Sequence, residues 1–328
     1  MVADRAGVSV ATVSLVASGK TGGRVSAGTV ARVRGAIADL NYVVNRVASS
    51  LATGSSNFVI LVAPDISNPF FARVITGVRE SLGSSYQLLL SVTDSGQMPR
   101  EENVRELLAF RPAGLLIDAP SPQLMRYLGA DVPIVLLDAP GTQNFAPAVN
   151  LDVVHGAEAL AVHLAERGHR HVGYLDSVTA APTFELRRTA FLAKAESRGM
   201  TRPGSPRARS TIDVGSAAEE FRKVWPAWDR AGVTAVVCAT DTHAYGVLQA
   251  AQSLGVRVPE DLAVAGFDDL PYSAMSQPSL TSVELPARKL GRAAAALLTA
   301  LIQGRDSTSA SPLLPSRLTI RESTGDST

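Results

Sequence analysis

From Phe58 onward the chain alternates short apolar runs with amphipathic stretches, and this alternation restricts the fold more than any other feature. Phe58 to Ala63 is apolar without a break, the pattern of a parallel strand covered on both faces. Similar runs occupy Gln87 to Val92, Gly114 to Ile117, Pro133 to Leu137, His171 to Leu175, Ala235 to Ala239 and Leu262 to Phe267. Helical stretches lie between them: Pro69 to Leu82, Gly156 to Arg167, Leu186 to Arg198, Ala217 to Arg230 and His243 to Leu254. Repeated strand–helix alternation predicts an α/β fold of doubly wound parallel sheets. Two such halves suit the roughly 270 residues available better than one large sheet. Residues 201–209 and 305–312 read as surface loops.

Composition narrows the function classes. With 46% hydrophobic and 19% charged residues, the chain can bury sizeable cores. A single cysteine, Cys238, excludes a disulfide framework and any cysteine-based zinc site. No apolar run reaches the ~18–20 residues of a membrane span. The opening stretch has no uninterrupted apolar region of the secretory kind, so a cytoplasmic protein without a membrane partner is expected. The net charge of +1 hides an asymmetry: residues 1–57 hold six basic and two acidic residues, and the rest hold 25 and 28. A basic head on a slightly acidic body fits either a chance fluctuation or a nucleic-acid-binding module.

The head supports three short helices. Val2 to Ala6 is a helical stretch, Gly7 can take the left-handed backbone that ends it, and Ser9 can cap the next helix. Val10 to Ala17 carries Val13 and Val16 on one face. A third helix starts near Ser26, with Val30, Val33, Ile37 and Leu40 forming one buried stripe. Two helices joined by a tight glycine turn make a helix-turn-helix, and the positive charge suits phosphate attraction. Pattern alone also fits any small helical bundle.

In open α/β sheets, ligands bind outside the carboxyl ends of strands. Asp65 to Phe71, Asp118, Asp138, Thr240-Asp241 and Asp268-Asp269 all stand at such ends. Carboxylates accept hydroxyl protons and aromatic rings cover an apolar face, a combination that suits a polyhydroxyl ligand. Any one of these aspartates also fits a helix cap or a solvated loop; several together point to a site.

Longer motifs then recur in order. Gly7-Val8-Ser9-Val10-Ala11-Thr12-Val13-Ser14 precedes Val25-Ser26-Ala27-Gly28-Thr29-Val30-Ala31-Arg32-Val33, followed by Leu40-Asn41-Tyr42 and Asn45-Arg46-Val47-Ala48-Ser49-Ser50-Leu51. Pro64 to Phe71, Arg167 to Val172, Val258 to Asp269 and Pro278 to Val283 continue the series. In this order the chain resembles the lactose-repressor/galactose-repressor (LacI/GalR) family of bacterial transcription regulators over nearly its whole length. The resemblance implies a helix-turn-helix head over residues 1–44 and a hinge helix and linker over 45–57. It implies a two-lobed periplasmic-binding-protein-like sensor over 58–328. Lobe 1 would span about 58–168 and 287–314, and lobe 2 about 169–286 and 315–325.

It further implies DNA contact by Ser9, Val10, Ala11, Thr12, Ser14 and Leu15 on the recognition helix, and by Asn45, Ala48 and Leu51 in the hinge. Leu51 would wedge between base pairs in the minor groove. Phe70, Phe71, Asp118, Thr183, Arg187, Asp241 and Asp268 match positions that line the effector cleft. Several residues depart from the family pattern. Leu15 stands where an arginine is common and cannot read guanine bidentately. Val44 replaces a proline, Ser49 an arginine, Thr240 an asparagine and Ala190 a glycine. Family heads begin several residues ahead of the segment matching Val2, so the natural start is expected upstream.

The expected function is therefore an effector-responsive regulator, a repressor acting on two-fold operator DNA. It is expected to be a homodimer, with a small-molecule effector, most simply a sugar. No cofactor, metal or catalytic residue is expected. A purine or other non-sugar effector is the alternative within the family, and a stand-alone sugar-binding protein for transport is the alternative outside it. That last reading leaves residues 1–57 without a role. A nicotinamide-dependent enzyme is disfavoured because no G-x-G-x-x-G follows a strand. His169 and His171 lack partner spacing for a metal, Cys238 reads as inert core, and Trp225 and Trp228 read as helix packing.

Overall fold

The computed structural model describes every residue except 18, 20, 43–55, 65, 67, 94–100, 121–123, 125–131, 143, 180, 205–206, 306–311 and 326–328. The chain divides into two compact units, Met1–Ser56 and Asn57–Thr328.

The first unit contains α1 (Val2–Ala6), α2 (Val10–Ala17) and α3 (Ala27–Asp39). Gly7 ends α1 in the left-handed region, at φ 62° and ψ 44°. Ser9 Oγ accepts from Thr12 N at 3.2 Å, and Ser26 Oγ accepts from Thr29 N at 3.2 Å, each satisfying a free donor at a helix start. Val2, Ala6, Val13, Val16, Val33 and Ala36 form the core. Of the expected α3 stripe, Val33 is fully enclosed, whereas Val30, Ile37 and Leu40 pack around the edge. Ala36, one turn further along the helix from Val33, joins it in the core. Asn45, Ala48 and Leu51 lie outside the described residues.

The second unit holds two six-stranded sheets. The first uses β1 (Phe58–Ala63), β2 (Gln87–Val92), β3 (Gly114–Asp118), β4 (Ile134–Leu137), β5 (Ala148–Asp152) and β11 (Leu313–Pro315), in the order β11-β5-β4-β3-β1-β2. Every neighbouring pair in it is parallel. The second uses β6 (Val172–Ser177), β7 (Ala208–Ser210), β8 (Ala235–Cys238), β9 (Ala263–Asp268), β10 (Thr281–Glu284) and β12 (Arg317–Thr319), in the order β12-β10-β9-β8-β6-β7. It is parallel except for the β10–β12 pair. The described helices of this unit are α4 (Pro69–Leu82), α5 (Glu101–Ala109), α6 (Val153–Glu166), α7 (Pro182–Ser197), α8 (Val214–Arg230), α9 (Asp241–Leu254) and α10 (Ala287–Ile302).

The chain passes between the sheets three times: from β5 to α6, from β10 to α10, and from β11 to β12. The first crossing falls near Asp152 rather than at the expected residue 168. Helix α6 packs on α7 and against β10 and β12 of the second sheet. Lys194 pairs with Glu158 at 3.2 Å, and His163 Nε2 lies 2.9 Å from Thr324 Oγ1. The expected loop at 201–209 also ends early, because Ala208–Ser210 adds to the edge of the second sheet as β7. His169 and His171 bond Thr234 and Thr201 at 2.9 and 2.7 Å, anchoring the turn into β6. Trp228 is buried against Gly173, and Trp225 stacks on Phe221 with centroids 5.3 Å apart.

Helices α4 and α10 make the closest helix contact. A Cβ on Gly77 would stand 2.0 Å from the Arg288 carbonyl oxygen, and one on Gly291 would stand 2.1 Å from that of Val74. Glu80 pairs with Arg288 and Arg292 across the same contact.

Candidate functional site

Each sheet has a switch point where strand order reverses, between β1 and β3 in the first and between β6 and β8 in the second. Such reversals open a crevice at the carboxyl ends of the strands. The two crevices here face one cavity, which offers about 140 Å³ to the centres of water molecules. A water needs roughly 10–15 Å³ by that measure, so the space suits on the order of ten non-hydrogen atoms.

Pro64 after β1, Asp118 at the end of β3 and Asp138 after β4 come from the first lobe. Val178 and Thr179 after β6, Thr240 after β8 and Asp268 at the end of β9 come from the second. Helix α4 adds Phe70 and Phe71, whose rings meet edge to face with centroids 5.4 Å apart. Asn68 sets the start of that helix by accepting from Phe70 N at 2.9 Å. Helix α7 adds Thr183, Phe184 and Arg187, spaced to share one face.

Arg187 is the cation of the cavity. Its Nη1 donates to the Ala239 carbonyl oxygen at 3.0 Å and lies 3.6 Å from Asp268 Oδ1. Its guanidinium carbon sits 5.1 Å from the Phe184 ring centre and 5.4 Å from that of Phe267, positions where a ring face attracts a cation. Burial raises the carboxyls of Asp118, Asp138 and Asp268, and the Arg187 charge opposes the rise in all three. Asp268 is pushed up to about 7. Thr183 Oγ1 stands beside the Asp138 carboxyl and opposes its rise. Asp268 Oδ2, Arg187 Nε and Thr179 Oγ1 are buried and make no hydrogen bond among the described residues. Each such group costs ~1–3 kcal/mol while unpaired, so the cavity is built for a polar occupant.

Six of the seven residues singled out for the cleft therefore line one cavity: Phe70, Phe71, Asp118, Thr183, Arg187 and Asp268. Asp241 is not among its lining. Its Oδ2 accepts from Leu270 N at 2.8 Å and Ser273 Oγ at 2.5 Å, and its Oδ1 accepts from Ser282 Oγ at 2.6 Å. Those bonds tie the start of α9 to the 270–282 segment. Thr179, Val178 and Phe184 join the lining without having been singled out. The end of strand β6 was the signal that could have marked the first two.

On the head, Val10, Ala11, Ser9 and Ser14 are exposed, Val10 to 76%, while Thr12 and Leu15 are half-buried. Helix α2 thus turns Val13 and Val16 inward and presents a small, uncharged face to solvent.

Two family patterns match the chain. That of the bacterial regulatory proteins of the lacI family covers residues 2–45, and that of the periplasmic binding protein-like domain covers residues 161–324. The ribose operon repressor of Bacillus subtilis (strain 168) is 32% identical over 304 residues, 92% of this chain and 90% of the relative. This chain belongs to the lacI family of bacterial regulatory proteins. The catabolite control protein A of Priestia megaterium is 30% identical over 332 residues, covering 98% of both. Among solved structures, the lac repressor dimer bound to operator and the anti-inducer ONPF superposes on this lacI-family chain with a TM-score of 0.82. The identity is 26%, over 99% of this chain and 98% of that one. A complex of the transcriptional regulator CelR with cellobiose gives a TM-score of 0.73 at 29% identity, covering 98% of both chains. The relatives are transcription regulators. No described helix is long and apolar enough to cross a membrane.

Proposed function

We propose that this lacI-family protein is a homodimeric operator-binding repressor controlled by a monosaccharide-sized polyhydroxyl ligand held between its lobes. The observation that carries the reading is the convergence of three buried, unpaired polar atoms on one cavity edged by Phe70 and Phe71. A polyol supplies hydroxyls that both donate and accept. Asp118, Asp138 and Asp268 accept hydrogen bonds from its hydroxyls, Arg187 Nε donates to its oxygens, and the Phe70–Phe71 pair covers its apolar edge. The head reads DNA through Ser9, Val10, Ala11, Thr12, Ser14 and Leu15, and the hinge through Asn45, Ala48 and Leu51. Two heads on a dimer match a two-fold operator. Ligand acts by favouring one arrangement of the lobes over another.

A purine is the second reading. The aromatic edge of the cavity suits a flat ring, and a repressor named PurR from Photobacterium profundum is 29% identical over 93% of this chain.

A thermal-shift panel of monosaccharides and purines on the full chain separates the two. A ligand at 100 times its Kd adds ~2.7 kcal/mol, or about 5–10 °C in a domain of this size. A shift with a monosaccharide, together with a change in operator affinity by anisotropy, is the expected result. A shift with purines alone selects the second reading. No shift from either class overturns both.

A further inference from the structure

A second depression lies on the second lobe, away from the interlobe cavity. It opens at the β6–β7 edge beneath α7 and offers about 220 Å³ to the centres of water molecules. Its lining contains four arginines, Arg188, Arg202, Arg207 and Arg209, and one carboxylate, Asp176. This concentration of positive charge stands on a body whose acidic residues outnumber its basic ones.

The four arginines have different duties. Arg188 is committed: its Nη1 donates to Asp176 Oδ2 at 2.5 Å and its Nη2 pairs with Glu185. It thereby cancels the charge of the one lining carboxylate. Arg209 is held in place by two donations to the Ser177 carbonyl oxygen, from Nε at 3.3 Å and Nη2 at 3.1 Å, which leave Nη1 for another partner. Arg202 and Arg207 stand exposed at the rim with no hydrogen bond or ion pair among the described residues.

An independent observation comes from the wall. Tyr174 is 5% exposed and lines the depression, yet its hydroxyl makes no hydrogen bond among the described residues. Leu192 and Trp228 add apolar surface beside it. Free guanidinium groups over a partly apolar wall with a spare hydroxyl suit an oxyanion attached to an organic body. The volume exceeds what a bare tetrahedral anion fills, being on the order of fifteen water positions.

We propose that this depression binds a phosphate-bearing small molecule, with Arg202, Arg207 and Arg209 gripping the phosphate and Tyr174, Leu192 and Trp228 facing the remainder. The site is separate from the interlobe cavity and does not depend on the identity of the ligand held there. Both tryptophans of the chain sit on α8, one of them in the lining, so their fluorescence reports occupancy.

The test titrates full-length protein with inorganic phosphate and pyrophosphate, against chloride at matched ionic strength, and follows tryptophan emission and heat. Saturable binding is expected, at least tenfold weaker in R202Q/R207Q, with unchanged operator affinity and unchanged thermal midpoint. Phosphate held by the basic head would survive that substitution. Equal binding by the parent and R202Q/R207Q therefore overturns the proposal, as does a response no larger than that to chloride.

Discussion

Arg187 Nη1 stands 3.6 Å from Asp268 Oδ1, with the two side chains 4% and 3% exposed. The contact joins α7 to the end of β9, so one guanidinium both ties the second lobe together and sets the charge of the interlobe cavity. Removing one member of a buried pair costs roughly 3–5 kcal/mol when the other charge is left uncompensated. Asp268 can take up a proton instead, which places Arg187→Ala at about 3 kcal/mol, measured by urea unfolding. Arg187→Ala/Asp268→Asn should regain much of that stability and still fail to bind the cavity ligand. An Arg187→Ala protein as stable as the parent would show that the pair contributes nothing to the fold.

The buried carboxylates also set a pH dependence. Asp268 sits near 7 and Asp241 near 8, against 3.8 for the ordinary group, both chiefly through burial. Between those limits the native state keeps protons that the unfolded chain has released, so stability falls as pH rises. Groups shifted the other way include Glu80 and Asp261 at about 2, which act only below about pH 5, and buried His243 at about 4, which opposes the decline up to about pH 6.5. The thermal midpoint of the ligand-free protein should therefore decline from about pH 6.5 to 8, where histidine no longer opposes it. Asp268→Asn should make the decline shallower, and asparagine tolerates the φ of 108° found there better than most residues. A midpoint that rises over this range would contradict the assignment.

Ligand affinity should move the opposite way. A hydroxyl donated to Asp268 favours its ionised form, so binding releases a proton that the empty site held. Affinity should strengthen from pH 5 to about 7 and then level off. Calorimetry in buffers of different ionisation enthalpy measures the proton count directly. Proton uptake on binding would mean that the ligand accepts from Asp268 rather than donating to it.

Long periodic elements were legible in the sequence, and the reasons for most of the exceptions are physical. Pro69–Leu82 appears with the expected bounds because proline opens the helix and Gly83 closes it, and the strand Gln87–Val92 also keeps its expected bounds. Strands β7, β11 and β12 have three residues each, too few for a period to register. Helix α10 also carries the helical periodicity, with Leu290, Ala294 and Leu298 on its buried face, so nothing in its sequence explains its absence from the expected helices. The rule that ligands bind at strand ends pointed to Phe70, Phe71, Asp118 and Asp268, and the family resemblance added Thr183 and Arg187, but neither could separate these from Asp241. That carboxylate also follows a strand, and its partners Ser273 and Ser282 lie far along the chain. The α6 assignment failed for a similar reason, since nothing local to residues 153–166 says which sheet the helix covers.

On the head, exposure and burial alternate along one helix and separate two roles. Val10 is 76% exposed and Val13 is 9% exposed. Val10→Ala should leave head stability within about 0.5 kcal/mol of the parent. On the proposed reading, in which this exposed valine faces DNA, the substitution should still weaken specific operator binding. Val13→Ala removes part of a six-residue core and should melt the head at lower denaturant, with loss of specific and non-specific binding alike. Amide exchange over residues 2–39 and anisotropy on operator and scrambled duplexes distinguish the two effects. Equal destabilisation by both substitutions would place Val10 in the fold rather than at the DNA.

The α4–α10 contact permits a prediction about the first lobe alone. Gly291 faces the backbone of α4 so closely that a methyl group would stand 2.1 Å from the Val74 carbonyl oxygen and 3.0 Å from Val78 N. Neither neighbour is a side chain that could swing away, so the helices must separate. Overpacking of this kind costs ~1–3 kcal/mol, which exceeds the up to ~1 kcal/mol that alanine gains over glycine within a helix. Gly291→Ala should therefore destabilise the protein even though it raises helix propensity. Gly35→Ala, on α3 with nothing within 4 Å of the added carbon, should be neutral or stabilising for the head. Chemical denaturation of both variants checks the contrast. A Gly291→Ala protein that melts above the parent would mean that the two helices have room that their backbone separation denies.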